Sequence, residues 1–222
     1  MSITSFDNYA AIAQTLTVKD TEIAGRYEFQ AAAERLIVPD VLRKLDICNE
    51  DSLIEIGCGT GNLLIPLSYF VAHASGLDNF GVIGRLKSRI GCASPMCLYE
   101  GDFLATSLPL TSFSKVLIYS VIHYLEDESA VIAFIDKALQ LLKPGGRLLV
   151  GDVPNLDKKK RFSETKRGIA LSKQWQNQVH AAGPHPMSLL PRDTSLVNIT
   201  DRLIVTLIEH ARSKGFESYV LS

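Results

Sequence analysis

The sequence predicts an α/β fold: a three-layer sandwich, with helices on both faces of a mostly parallel central sheet. Three observations carry this. From about residue 52 onward, short apolar strand-like runs alternate with longer amphipathic runs of helical spacing. The first such strand, with Leu53, Ile54 and Ile56, leads straight into Gly57, Gly59 and Gly61. Glycine at such a turn accepts positive φ and lets a ligand meet bare backbone. Finally, Glu55, Asp78, Asp102 and Ser120 to His123 all fall near the carboxyl ends of strands, the rim where open α/β sheets bind their ligands.

The elements follow in order. Before the first strand, Tyr9, Ile12 and Leu16 suggest a short helix over Asn8–Leu16. Ala32, Leu36, Ile37, Val41, Leu42 and Leu45 have helical spacing over Phe29–Leu45, with Pro39 expected to split the run. After the glycine turn a helix is expected over Asn62–His73, then a strand over Ala74–Leu77 ending at Asp78. A helix over Phe80–Ile90, a strand over Pro95–Glu100 and a strand over Phe113–Tyr119 come next. A helix over Ala130–Leu142 is stopped by Lys143-Pro-Gly-Gly146, and Arg147–Val153 is the fifth strand. The alternation then lapses. Residues 154–197 read as an irregular lid insertion, with Lys158-Lys-Lys-Arg161 as a solvated loop. A final helix over Ile199–Ser213 closes at Gly215, and Phe216–Leu221 reads as a short strand. The whole is expected to be one domain over 1–222, with 1–45 as a helical cap.

Composition narrows the partners. A formal charge of −1 and 21% charged residues give no electrostatic reason to expect nucleic acid or a membrane. No apolar run reaches membrane-spanning length, and no secretory leader is recognisable. Cys48, Cys58, Cys92 and Cys97 form no Cys-x-x-Cys pair, so free thiols in a cytoplasmic protein are expected, and no metal.

The glycine turn is not the dinucleotide fingerprint, whose third glycine is replaced by Asn62. Its form, Glu55-Ile-Gly-Cys-Gly-Thr-Gly61, resembles the first motif of the class I, Rossmann-like S-adenosylmethionine-dependent methyltransferases of the small-molecule type. Ser120-Val-Ile-His-Tyr-Leu125 resembles their fourth motif, and Leu142-Lys-Pro-Gly-Gly-Arg-Leu-Leu-Val150 the phrase before their fifth strand. The resemblance spans about Phe29–Val153. It implies S-adenosylmethionine as cofactor, held by Glu55, Gly57, Cys58, Gly59, Gly61, Asp78, Asn79, Asp102, Phe103 and Ser120. Asp78 would accept from the ribose hydroxyls, or else cap a helix. Asp102 would accept the adenine amino group with Phe103 on the ring, or else the two are a turn aspartate and a core phenylalanine.

The implied reaction moves a methyl group to an O or N nucleophile of a small molecule. His123 is the candidate base, or else a structural histidine, and Asp152 is the second candidate. Residues 151–162 look like those of methyltransferases encoded with surface-polysaccharide genes, which suggests a sugar-like acceptor. A cofactor-binding regulatory subunit without transfer activity is the alternative. In the family, a sixth strand is followed by a seventh that returns between the fifth and sixth. Here Phe216–Leu221 could supply only the sixth, so the family's last strand is expected to be missing. The edge left open on the fifth strand then implies a truncated form, or a homo-oligomer or other segment that covers it.

Overall fold

The computed structural model describes residues 5–15, 18–91, 94–189 and 196–221. Leu16 and Cys92, named above, lie outside these, as do residues 190–195 of the expected lid. Five strands form: β1 (Ser52–Ile56), β2 (His73–Asp78), β3 (Cys97–Glu100), β4 (Phe113–Tyr119) and β5 (Leu142–Gly151). They make one all-parallel sheet in the order β3-β2-β1-β4-β5. The sheet order reverses at β1, which pairs with β2 on one side and β4 on the other.

All five residues of the central β1 are buried, and its side chains alternate between two cores. Ile54 and Ile56 pack with Val116, Ile118, Phe134, Ile135 and Leu203; Leu53 packs with Leu117, Val41, Leu45 and Leu67. That two-sided burial is why the strand reads as a nearly continuous apolar run. At the opposite rim from the glycine turn, the buried Lys115 ammonium lies 3.7 Å from Asp51, and Ser52 and Ser114 exchange hydrogen bonds with each other's backbone. These stitch the strand starts together and leave the carboxyl ends free for other work.

Ten helices complete the described layers: α1 (Ser5–Ala13), α2 (Asp20–Ile23), α3 (Ala31–Glu34), α4 (Ile37–Leu45), α5 (Leu64–Leu67), α6 (Phe80–Ile90), α7 (Glu128–Gln140), α8 (Leu156–Ser163), α9 (Lys166–Ala182) and α10 (Asp201–Ser213). None is long and apolar enough to cross a membrane. Helix α6 and strand β4 occupy the residues expected, and α7 starts two residues early because Asp127 caps it, accepting from Ala130 N at 2.8 Å.

The fifth strand, expected over Arg147–Val153, begins at Leu142, so Lys143-Pro-Gly-Gly146 lies in β5 and not after a helix that ends at Leu142. Four further expectations need correction. The run over residues 29–45 does split, but at Arg35–Leu36; Pro39 lies inside the first turn of α4, where a missing N–H costs nothing. The helix expected over 62–73 is only α5 plus a 3₁₀ turn over Ser68–Phe70, since Val71 is already extended and Ala72 and His73 donate to Asp51 O at 2.9 and 3.2 Å. Residues 156–182 are not irregular: they form the α8–α9 helical hairpin, started by side-chain caps from Asn155 and Thr165. Phe216–Leu221 forms no strand; Phe216 packs on the core, whereas Tyr219 and Val220 are each 71% exposed. The sheet among the described residues therefore has five strands, and β5 has a partner on one edge only.

Candidate functional site

The site is built where the reversal in strand order leaves a crevice between the ends of β1 and β4. Leaving β1, Gly57 and Cys58 both donate to Leu77 O, at 2.8 and 3.2 Å, which folds the loop back over β2. Gly57, Gly59 and Gly61 all have positive φ, at 76°, 56° and 88°. A Cβ at Gly57 would lie 2.4 Å from Val121, and one at Gly61 would lie 2.4 Å from Leu86. At Gly59 it would meet nothing within 4 Å. The middle glycine thus faces open space, and its neighbours make the turn fit.

Asp78, at the end of β2, accepts from Gly59 N at 2.8 Å with one oxygen and from Asn79 N at 2.7 Å with the other. Burial pushes its carboxyl up against the pull of those two N–H donors. Asn79 is buried and caps α6, accepting from Gly81 N at 3.0 Å. Cys58 is buried behind the turn, its thiol raised by desolvation. Glu55 is 3% exposed; desolvation and then Asp78 hold its carboxyl well above the usual range, and its Oε2 has no hydrogen-bond partner. A glycine turn open at its centre, a strand-ending carboxylate and an orphaned buried oxygen beside it fit a ligand with hydroxyls and a cationic group.

The next residues divide. Asp102 is exposed and turns one oxygen onto its own loop, accepting from Leu104 N at 2.8 Å and Ala105 N at 3.2 Å. Phe103 is 3% exposed, 4.6 Å from the Phe134 ring and under the Lys137 ammonium. Of the two readings of this pair, the core phenylalanine and turn aspartate describe the structure. The ring is committed to packing and offers no free face.

On the other side of the crevice, β4 and β5 end side by side in two non-glycine residues with left-handed backbone, Ser120 (φ 58°) and Asp152 (φ 50°). Such strain at adjacent strand ends persists only where the surroundings hold it. The Ser120 hydroxyl and the Arg26 guanidinium both bond Asp152 Oδ2, and Arg26 Nη2 also donates to Ser120 Oγ at 3.0 Å. Burial opposes ionisation of Asp152, but the Ser120 hydrogen bond and Arg26 outweigh it and hold the carboxyl below its usual range. His123 sits within reach of both charges. Desolvation lowers its pKa, so the imidazole is neutral, and its buried Nδ1 has no partner. Its ring packs 4.1 Å from Tyr124, whose hydroxyl meets that of Tyr9 at 2.5 Å.

Arg26 and Tyr9 carry no local signal of a role in the sequence; only tertiary structure brings them here. They belong to a strap, described over residues 5–15 and 18–30, that meets the crevice through these two side chains. Arg85 on α6 anchors it, donating to Asp20 Oδ1 at 2.7 Å, to Thr15 O at 3.1 Å and to Val18 O. Trp175 of α9 packs on Tyr27 and Phe29 from outside, and His185 stacks edge-on to Tyr27 at 4.8 Å. Beside Tyr119, a cavity of about 470 Å³ opens between α3 and α4, lined by Ala33, Leu36, Ile37, Pro39, Asp40 and Arg43.

With this geometry in place, residues 54–150 match the family described as methyltransferase domain. The chain is 30% identical over 133 residues to chondramide synthase of Chondromyces crocatus, covering 57% of this chain and 3% of that protein. It is 27% identical to an uncharacterized methyltransferase of Bacillus cereus, covering 65% of this chain and 61% of that one. It thus spans less than two thirds of either relative. Among solved structures, the N-methyltransferase NodS from Bradyrhizobium japonicum, in complex with S-adenosylhomocysteine, superposes with a TM-score of 0.60 at 20% identity, over 90% of this chain and 84% of that one.

Proposed function

We propose that this chain, with a methyltransferase domain over residues 54–150 and the fold of class I, Rossmann-like methyltransferases, binds S-adenosylmethionine in the crevice and transfers its methyl group to a small-molecule O or N nucleophile. The bound cofactor supplies an electrophilic methyl on a sulfonium, with a neutral thioether as leaving group, so no acid is required. The observation that carries the reading is the pairing of Gly59, open to ligand, with Asp78, whose carboxylate bonds Gly59 N and still has lone pairs for ribose hydroxyls. Glu55, held neutral by burial and by Asp78, offers its orphaned oxygen as a hydrogen-bond acceptor for the cofactor, and Asp78 supplies the negative charge. Gly57 and Gly61 keep the turn tight, Cys58 and Asn79 fill behind it, and Asp102 lies at the rim of the adenine side.

Near Ser120 and Asp152, the protein's task is to orient the nucleophile against the methyl carbon. Asp152 suits the role of orienting carboxylate, and His123, neutral with its unpartnered Nδ1 buried, would act as base only for a proton relayed to that nitrogen. The strap and the α8–α9 hairpin would form the lid, within a single domain over 1–222. Free Cys48, Cys58 and Cys97 are in keeping with a cytoplasmic setting. The sugar-like acceptor rests on the resemblance of residues 151–162 alone. Calorimetry with S-adenosylhomocysteine tests the cofactor site: Asp78→Ala should lose two charge-assisted bonds, on the order of 2–4 kcal/mol, and weaken binding by one to three orders of magnitude. Equal affinity in variant and wild type would remove Asp78 from the site.

A further inference from the structure

Arg26 is the only cation that reaches the ends of β4 and β5 among the described ion pairs, and it is surrounded by acceptors. One nitrogen bonds both Asp152 Oδ2 and Ser120 Oγ, its Nε lies 3.8 Å from Glu34, and its own backbone carbonyl meets His185 Nε2 at 3.3 Å. It follows Gly25, at φ 72°, so the chain turns sharply just before this side chain enters the site. Two carboxylates against one guanidinium leave the cluster net negative, and desolvation keeps His123 from adding a positive charge. Asp78, on the other side of the crevice, has no cationic partner among the described ion pairs.

We infer that the methyl acceptor is an amine, and that Arg26 is a gate whose guanidinium occupies the acceptor's place on Asp152 until the acceptor displaces it. This rests on the cofactor reading above and adds the acceptor class to it. An anionic acceptor would have to draw Arg26 away from two carboxylates and then lie against them, which its charge opposes. A neutral alcohol would leave Asp152, 40% exposed, and Glu34, 24% exposed, without a counter-charge once Arg26 moved. An ammonium replaces the guanidinium in kind. On Asp152, which is 40% exposed, it gives one proton to solvent, and that frees the nitrogen lone pair. That pair forms the new N–C bond as the C–S bond breaks and its electrons leave with sulfur. The sulfonium's positive charge passes to the methylated nitrogen, which again pairs with Asp152.

The inference is tested with three probes of one shape, n-butylamine, n-butanol and butyrate. Each is titrated into the protein loaded with S-adenosylhomocysteine, and each is incubated with S-adenosylmethionine with the product read by mass spectrometry. Butylamine alone should bind and yield N-methylbutylamine. Arg26→Ala, which removes the competing cation, should tighten butylamine binding by about tenfold, and Asp152→Asn should weaken it by at least about as much. Affinity for S-adenosylhomocysteine is measured on the same samples. If that affinity is absent in wild type, the cofactor reading falls. If it is present and butylamine does not bind, or butyrate binds and is lost in Arg26→Ala, or Asp152→Asn binds the amine as wild type does, the amine gate falls alone.

Discussion

Gly57, Gly59 and Gly61 share a positive φ, but a side chain would cost each something different. At Gly59 a methyl meets no atom, so Gly59→Ala should lose only the left-handed backbone preference, about 1–2 kcal/mol, while blocking ligand approach. At Gly57 the methyl collides with Val121 at 2.4 Å, so Gly57→Ala should destabilise the fold by more. Thermal melts paired with S-adenosylhomocysteine titration separate the two; a Gly59→Ala protein that binds normally would show that the open space is not the ligand's. Glu55 gives a pH signature. Its folded pKa lies well above the unfolded value of about 4.3, so over that interval the native state holds a proton that the unfolded state has lost. Stability then falls as pH rises from the unfolded pKa toward the folded one. Glu55→Gln removes that loss: without cofactor it should match wild type near the acidic end and melt higher at alkaline pH. Parallel melting curves across the range would contradict the buried neutral acid.

Among the elements, the strap over residues 5–15 and 18–30 is anchored by one side chain above all. Arg85 gathers the Asp20 carboxylate and the carbonyls of Thr15 and Val18, and Arg89 adds Asp20 at 3.3 Å and Thr60 O at 2.5 Å. Arg85→Ala leaves those acceptors to water and should cost the strap on the order of 1–3 kcal/mol. Hydrogen exchange should show the amides of α1 and α2 losing protection while β1 and β4 keep theirs. Protection unchanged in α1 would mean that the strap is held by apolar packing of Ile12, Ala13 and Ile23 on Val82 instead. The α8–α9 hairpin is the converse case, a helical pair hidden in the sequence. Seven Lys and Arg against two Asp and Glu over residues 156–182 mask its apolar period, and few of its residues are buried. Charge-rich helices of this kind are legible mainly from their caps, here Asn155 and Thr165.

For the molecule as a whole, the liability is the side of β5 that pairs with no strand among the described residues. Leu148, Leu149 and Val150 are half-buried, and Arg147 is drawn aside to Asp46 at 3.1 Å, so the edge carries little charge to repel a second strand. We expect this edge to pair with a second copy. Sedimentation velocity should then show a dimer that grows with concentration, and a single monomeric boundary at every concentration would refute the pairing. By itself the sequence determined that five strands alternate with helices, with β4 at its observed bounds, the glycine turn and the acids at the strand ends, because apolar period and glycine placement are local signals written in consecutive residues; it also predicted a sixth strand that does not form and began β5 five residues late. It also separated the methyltransferase turn from the dinucleotide turn at Asn62. Only the tertiary structure decided that Phe103 belongs to the core, that Pro39 starts a helix instead of breaking one, and that Arg26 and Tyr9 close the crevice. Arg26 and Asp152 are joined by charge across 126 residues of chain, and such a contact exists only once the sheet has brought their backbones together.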